Sequence, residues 1–197
     1  MSKQTDYNSK EISILGWRHS YMDKEITQIE DLAFMLSNKR YKIYTGAGGG
    51  FMYSANKGAF NADTTCSYGY SVDIFDDEVD KTVFEPQNLI SVNGTHNLSS
   101  YFLRKHLLIT KDILIFCPGG MGTLDEFTEA ITMKKIGLIN PIIICFHKDF
   151  WLSFKKGATS SHSKMTFPDD CINLITDNII EIYDFINTNY KDTDVQT

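Results

Sequence analysis

Short apolar runs alternate with stretches of helical spacing from one end of this chain to the other. A strand that returns parallel to its predecessor needs a crossover, usually a helix, so the alternation predicts an α/β fold: a parallel sheet with helices on both faces. The strongest runs are Asp112-Ile-Leu-Ile-Phe-Cys117 and Pro141-Ile-Ile-Ile-Cys145, read as buried strands, with further strands at 11–16, 41–45 and 68–74. Residues 24–36 carry Ile26, Ile29, Leu32, Ala33 and Leu36 at helical spacing. Further helices are expected from the glycine cluster at 46–50 to about residue 60, over 98–109, over 123–136, and over 172–186 with a break near Thr176-Asp177. Residues 75–87, acidic and holding Pro86, read as a surface loop; 157–164 reads as a mobile connection, and 1–10 and 188–197 as polar tails. Nothing resembling a repeat or linker divides the 197 residues, so a single domain is expected.

Composition narrows the function classes. No apolar run approaches the roughly 20 residues of a membrane helix, and the N-terminus is polar with no hydrophobic segment behind it. No membrane association and a cytoplasmic location are therefore expected. Twenty-five acidic against nineteen basic residues give a net charge of −6, which argues against a surface that coats nucleic acid. An anionic ligand needs a local pocket. Cys66, Cys117, Cys145 and Cys171 are scattered, with no Cys-x-x-Cys pair, so reduced thiols and no metal site are expected.

Two glycine-rich segments each follow an expected strand and open an expected helix. Backbone N–H groups at a helix start attract phosphate, and glycine lets the backbone come close to it. The first, Thr45-Gly-Ala-Gly-Gly-Gly-Phe-Met52, lacks the lysine and Ser/Thr of a P-loop, and a ligand-free strand-to-helix turn explains it equally well. The second, Pro118-Gly-Gly-Met-Gly-Thr-Leu-Asp-Glu126, says more. Gly119, Gly120, Met121 and Gly122 can line a phosphate cradle, with the Thr123 hydroxyl as a further donor. Asp125 and Glu126 are expected in the first helical turn, where carboxylates suit the positive dipole end. A carboxylate beside a phosphate also needs a cation between them, and Arg104-Lys105 on the preceding helix can supply it.

On these residues the chain resembles the Lonely Guy (LOG) family of nucleoside 5′-monophosphate phosphoribohydrolases, formerly labelled "possible lysine decarboxylases". Pro118-Gly-Gly-x-Gly-Thr-x-x-Glu126 with Arg104-Lys105 upstream carries the resemblance. Gly46-Ala-Gly-Gly-Gly-Phe-Met52 with Ala55-Asn-Lys-Gly-Ala59, Thr128-Glu-Ala-Ile-Thr132 and Phe150-Trp151 extend it over about residues 12–151. The resemblance implies a Rossmann-like fold in which Gly119, Gly120, Gly122 and Thr123 hold a 5′-phosphate, helped by Gly48, Gly49 and Gly50. It makes Arg104 and Glu126 the catalytic pair, places Met52 near the base and matches Glu129 to a further acid on the same helix. The implied reaction cleaves the N-glycosidic bond of a nucleotide, releasing base and ribose 5-phosphate. No cofactor is required, and a homodimer or higher homo-oligomer is implied. The substrate the resemblance implies is AMP, another purine or pyrimidine nucleotide, or a cytokinin nucleotide.

The chain also departs from that pattern. Trp17-Arg18-His19 stands where family members carry small residues after the first strand, and would narrow a base pocket or add a phosphate contact. Ala47 and Gly49 stand where many relatives have glycine and proline, and 76–87 does not align. His96-Asn97 stands just before the Arg104 helix, within reach of a ligand or as a cap. A non-catalytic nucleotide or molybdenum-cofactor carrier on the same fold is the alternative; Arg104 with Glu126 favours the enzyme. Single-stranded DNA binding of the DNA-processing type is disfavoured by the charge.

Overall fold

The computed structural model describes residues 10–18, 22–72, 95–98, 100–159 and 167–189. Seven parallel strands form one sheet: β1 (Glu11–Leu15), β2 (Lys42–Thr45), β3 (Ser67–Val72), β4 (Thr95–Leu98), β5 (Ile113–Phe116), β6 (Ile142–Phe146) and β7 (Leu174–Thr176). Six α-helices accompany them among the described residues: α1 (Asp23–Ser37), α2 (Phe51–Ala62), α3 (Tyr101–Ile109), α4 (Met121–Lys135), α5 (Lys148–Ala158) and α6 (Ile179–Asn189). The spatial order is β4-β3-β2-β1-β5-β6-β7. Register is fixed at the centre, where Ile12 lies between Ile43 of β2 and Ile113 of β5.

Alternation along the strands builds two cores. Ile12, Ile14, Ile43, Ile113, Ile115 and Ile144 pack under α1, α2 and α6. Leu15, Tyr44, Leu114, Phe116, Ile143 and Cys145 pack under α3, α4 and α5. Trp151 of α5 is fully buried there against Phe127, its indole N–H donating to the carbonyls of Phe116 (3.2 Å) and Phe146 (2.9 Å). Ser13, on the same face, is buried because its hydroxyl donates to Leu108 O at 2.7 Å. The α/β fold with helices on both faces is thus as expected.

Three expectations about elements need correction. The 98–109 helix begins only at Tyr101, where the Ser100 hydroxyl caps it by accepting from Leu103 N, and Thr95–Leu98 is an edge strand instead. Its sequence, Thr-His-Asn-Leu, has no apolar run because it pairs on one side only, with β3. Residues 174–176 form a second short edge strand where a helix was expected, and the helix starts after the Thr176-Asp177 break. Helix α5 also reaches Ala158, into the expected 157–164 connection. Residues 75–87 and most of the two tails lie outside the described residues. No helix among the described residues is long and apolar enough to cross a membrane.

Strand order reverses between β1 and β5: the chain runs outward from β1 through β2, β3 and β4, then returns to β5 on the other side. In open parallel sheets the crevice beyond the carboxyl ends at such a point is where ligands bind.

Candidate active site

A cleft of about 250 Å³ opens at that point, lined by the loops after β1, β2 and β5 and by α3 and α4. The loops are tied to one another by backbone bonds. Trp17 N donates to Pro118 O at 2.9 Å, Cys117 N to Leu15 O at 2.7 Å, and Phe51 N to Trp17 O at 3.2 Å. Beneath the first glycine turn lies a buried polar network. The Thr45 hydroxyl bonds the Asn56 side-chain oxygen and accepts from Ala47 N, while the Asn56 amide donates to Ser67 Oγ and Tyr68 O. This network accounts for the asparagine of the Ala55-Asn-Lys-Gly-Ala59 stretch. It also holds Ala47 at φ +57°, a left-handed conformation costly for any residue with a Cβ.

Part of the first glycine turn packs against its own chain. Gly50 has φ +59°, and a Cβ there would stand 2.2 Å from Trp17 O; one on Gly49 would stand 2.9 Å from Arg18 O. Neither residue lines the cleft, and a Cβ on either would meet the 17–18 main chain. Gly48 does line the cleft, beside Met52, as does Gly46.

The second turn is open. Gly120, Gly122 and Thr123 line the cleft, and a Cβ on Gly120 or Gly122 would meet nothing within 4 Å. Gly119 instead lies under Thr123, whose Oγ1 would be 2.1 Å from a Cβ there, and Met121 is 81% exposed outside the cleft lining. Helix α4 starts at Met121, two residues earlier than expected, because Gly120 O already accepts from Leu124 N. Asp125 and Glu126 therefore sit beyond the first turn, whose N–H groups remain available to an anion.

Arg104 and Glu126 meet in the cleft. Arg104 Nε donates to Tyr70 O (2.8 Å) and Nη2 to Gly46 O (2.9 Å), leaving Nη1 3.9 Å from Glu126 Oε1. A Cβ on Gly46 would stand 2.0 Å from Nη2 and displace the guanidinium. The Tyr101 ring lies 5.9 Å from the guanidinium carbon. Glu126 is 7% exposed. Burial pushes its carboxyl up to about 7 despite the Arg104 charge, and Asp125 and Glu129 add to the rise.

Lys105 is not in the cleft lining. Its ammonium bridges Asp125 (2.8 Å) and Glu129 (2.6 Å), and those carboxylates hold it above the ordinary lysine range. Asp125 and Glu129 thus hold the Lys105 ammonium in an ion cluster, and neither Lys105 nor Glu129 lines the cleft. The residues not singled out as ligand-binding are Gly16, Gly46 and Tyr101, while Trp17 and Arg18, noted as departures, both line the cleft. Tyr101 was one helical turn from Arg104 and legible on that ground. His96 and Asn97 belong to β4.

The SLOG cluster4 family model matches residues 9–169. The chain belongs to that family. The resemblance drawn from the glycine loops thus holds at the SLOG level, and the match spans the whole cleft of this SLOG cluster4 protein. No curated protein matches the chain. Among solved structures it is similar to the molybdenum cofactor binding protein of the phototrophic bacterium Rippkaea orientalis, at 17% identity and TM-score 0.65 over 93% of this chain and 98% of that one. It is similar to the Moco carrier protein of Chlamydomonas reinhardtii at 14% identity and TM-score 0.64, over 92% and 97%. DNA processing protein A of Helicobacter pylori, described for its single-stranded DNA binding, follows at 14% identity and TM-score 0.61, over 92% and 81%. Identities this low speak for the shared Rossmann-like fold alone.

Proposed function

We propose that the cleft hydrolyses the N-glycosidic bond of a nucleoside 5′-monophosphate, giving the free base and ribose 5-phosphate. The observation that carries this reading is the buried Glu126 beside Arg104, facing the same cleft as the open Gly120–Thr123 turn. A protein that only holds an anion gains nothing from a buried carboxyl next to it. Breaking the bond leaves positive charge on the ribose, as in glycoside hydrolysis. In its ionised form Glu126 stabilises that charge and accepts a proton from the water that adds to the anomeric carbon; the base departs with the bonding electron pair and takes a proton from solvent, and Glu126 returns its proton to solvent. Arg104, fixed by two carbonyls, holds the carboxylate in place, and the α4 turn with Thr123 and Arg18 takes the phosphate. Gly119, Met121, Gly49, Gly50, Lys105 and Glu129 act behind or beside these groups.

The homo-oligomer belongs to the same reading. Phe102 (77% exposed) and Met121 stand near the N-terminal ends of α3 and α4, the helices that supply Tyr101, Gly122 and Thr123 to the cleft, and offer apolar area for a second copy.

The test is a panel of AMP, other purine and pyrimidine monophosphates and a cytokinin nucleotide, assayed by chromatography for released base. Release that disappears in Glu126→Gln, with nucleotide binding retained, supports the reading. Binding without release by the unmodified protein overturns it in favour of a nucleotide or molybdenum-cofactor carrier.

A further inference from the structure

The chain has two tryptophans, Trp17 and Trp151, in opposite situations. Trp151 is fully buried with its N–H bonded twice. Trp17 lines the cleft and is 43% exposed. An exposed indole forgoes one of the largest burial gains any side chain offers, so its position calls for a partner. The position is also not left to chance. Its backbone N–H donates to Pro118 O, its backbone carbonyl accepts from Phe51 N, and Gly50 packs on that same carbonyl, so the main chain is clamped from the β5 side and from the α2 side at once. A clamped backbone presents a side chain with little entropy left to lose on binding.

Cleft chemistry is divided as well. The anion-seeking groups are the Gly120–Thr123 turn, Arg18 and Arg104. The soft, polarisable groups are Trp17, the Met52 thioether and Tyr101. A bound molecule that satisfies both sets carries an anionic end and a flat, apolar-faced end.

We propose that the Trp17 indole is the face on which a planar heteroaromatic ring of the bound molecule stacks, making Trp17 the residue that distinguishes a base-bearing sugar phosphate from the bare sugar phosphate. The proposal rests on the nucleotide reading of the cleft and adds the element that selects for a base. Stacking is tolerant of base identity, because every base has a π-face. Trp17 therefore sets ring against no ring, and not one base against another.

The experiment reads indole emission of the full chain during titration with AMP, GMP, CMP, UMP and ribose 5-phosphate, with calorimetry on the same samples. Trp151, sealed in the core, supplies a constant background. At least one nucleotide should quench the emission while ribose 5-phosphate leaves it unchanged. Trp17→Ala should abolish that quenching and weaken the nucleotide about tenfold, with little change for ribose 5-phosphate, and Trp17→Phe should restore most of the affinity. Calorimetric binding of a nucleotide with no quenching, or equal quenching by ribose 5-phosphate, overturns the stacking role and leaves the hydrolase reading standing. Emission that follows protein concentration and ignores ligand overturns it in favour of a second copy covering the indole. Absence of binding by all four nucleotides overturns this proposal together with the nucleotide reading.

Discussion

Glu126→Gln should make the protein more stable in alkaline solution, although it removes a residue from the candidate active site. The Glu126 carboxyl titrates near 7 in the folded chain against 4.5 for an ordinary glutamate, chiefly because it is buried. Between those two values the folded protein keeps a proton that the unfolded chain releases, so stability falls as pH rises through the interval. Below about 4.5 there is no penalty; above about 7 it is complete. At about 1.4 kcal/mol per pH unit the full penalty is about 3 kcal/mol, and about 2 to 3 kcal/mol of it accrues between about pH 5 and pH 8.5. Glutamine matches the side chain in size and never ionises, so the variant escapes this loss. The assay is urea unfolding of both proteins at the two pH values, taking the difference of differences so that all other titrating groups cancel. A gap between variant and parent that is the same at both pH values would refute the buried-carboxyl argument. On the proposed mechanism, which uses the ionised form, base release by the unmodified protein should rise through the same region near pH 7.

Other perturbations separate the parts of the site. Lys105→Met leaves Asp125 and Glu129 uncompensated beside Glu126; the midpoint of the pH–rate profile should move to higher pH while the alkaline plateau changes little. Gly46→Ala should push the Arg104 guanidinium off Gly46 O and Tyr70 O, read as at least a tenfold loss of base release by chromatography. Gly50→Ala, at φ +59° and against Trp17 O, should destabilise the fold by about 1–3 kcal/mol or more in urea unfolding, whether or not ligand is present.

What could be read from the amino-acid order, and what could not, follows from where information is local. The central strands declared themselves because a strand buried on both faces must be apolar, as Ile113–Phe116 and Ile142–Phe146 are. Thr95–Leu98 and Leu174–Thr176 did not, because a short edge strand owes its state to the neighbour it pairs with. The same limit governs the site. Arg104 and Glu126 were legible, one set among apolar helix positions and the other just after a glycine turn, and they do converge. Glycines at 49 and 50 showed that something approaches the backbone closely, yet spacing alone does not say whether that is a ligand or the protein itself; here it is the 17–18 main chain. The partners of Lys105 were not legible for a related reason, since a cation's destination depends on which acids the fold brings nearest, and Asp125 and Glu129 arrive from another helix.

Residues 17 and 18 divide their labour between atoms of different kinds. Main-chain groups fasten the glycine turn and Pro118, whereas the indole and guanidinium belong to the cleft. Because those bonds run through main-chain atoms, the side chain at position 17 can change while the fastening is kept. Divergence among proteins of this architecture should therefore concentrate just after the first strand, where novelty costs the fold least.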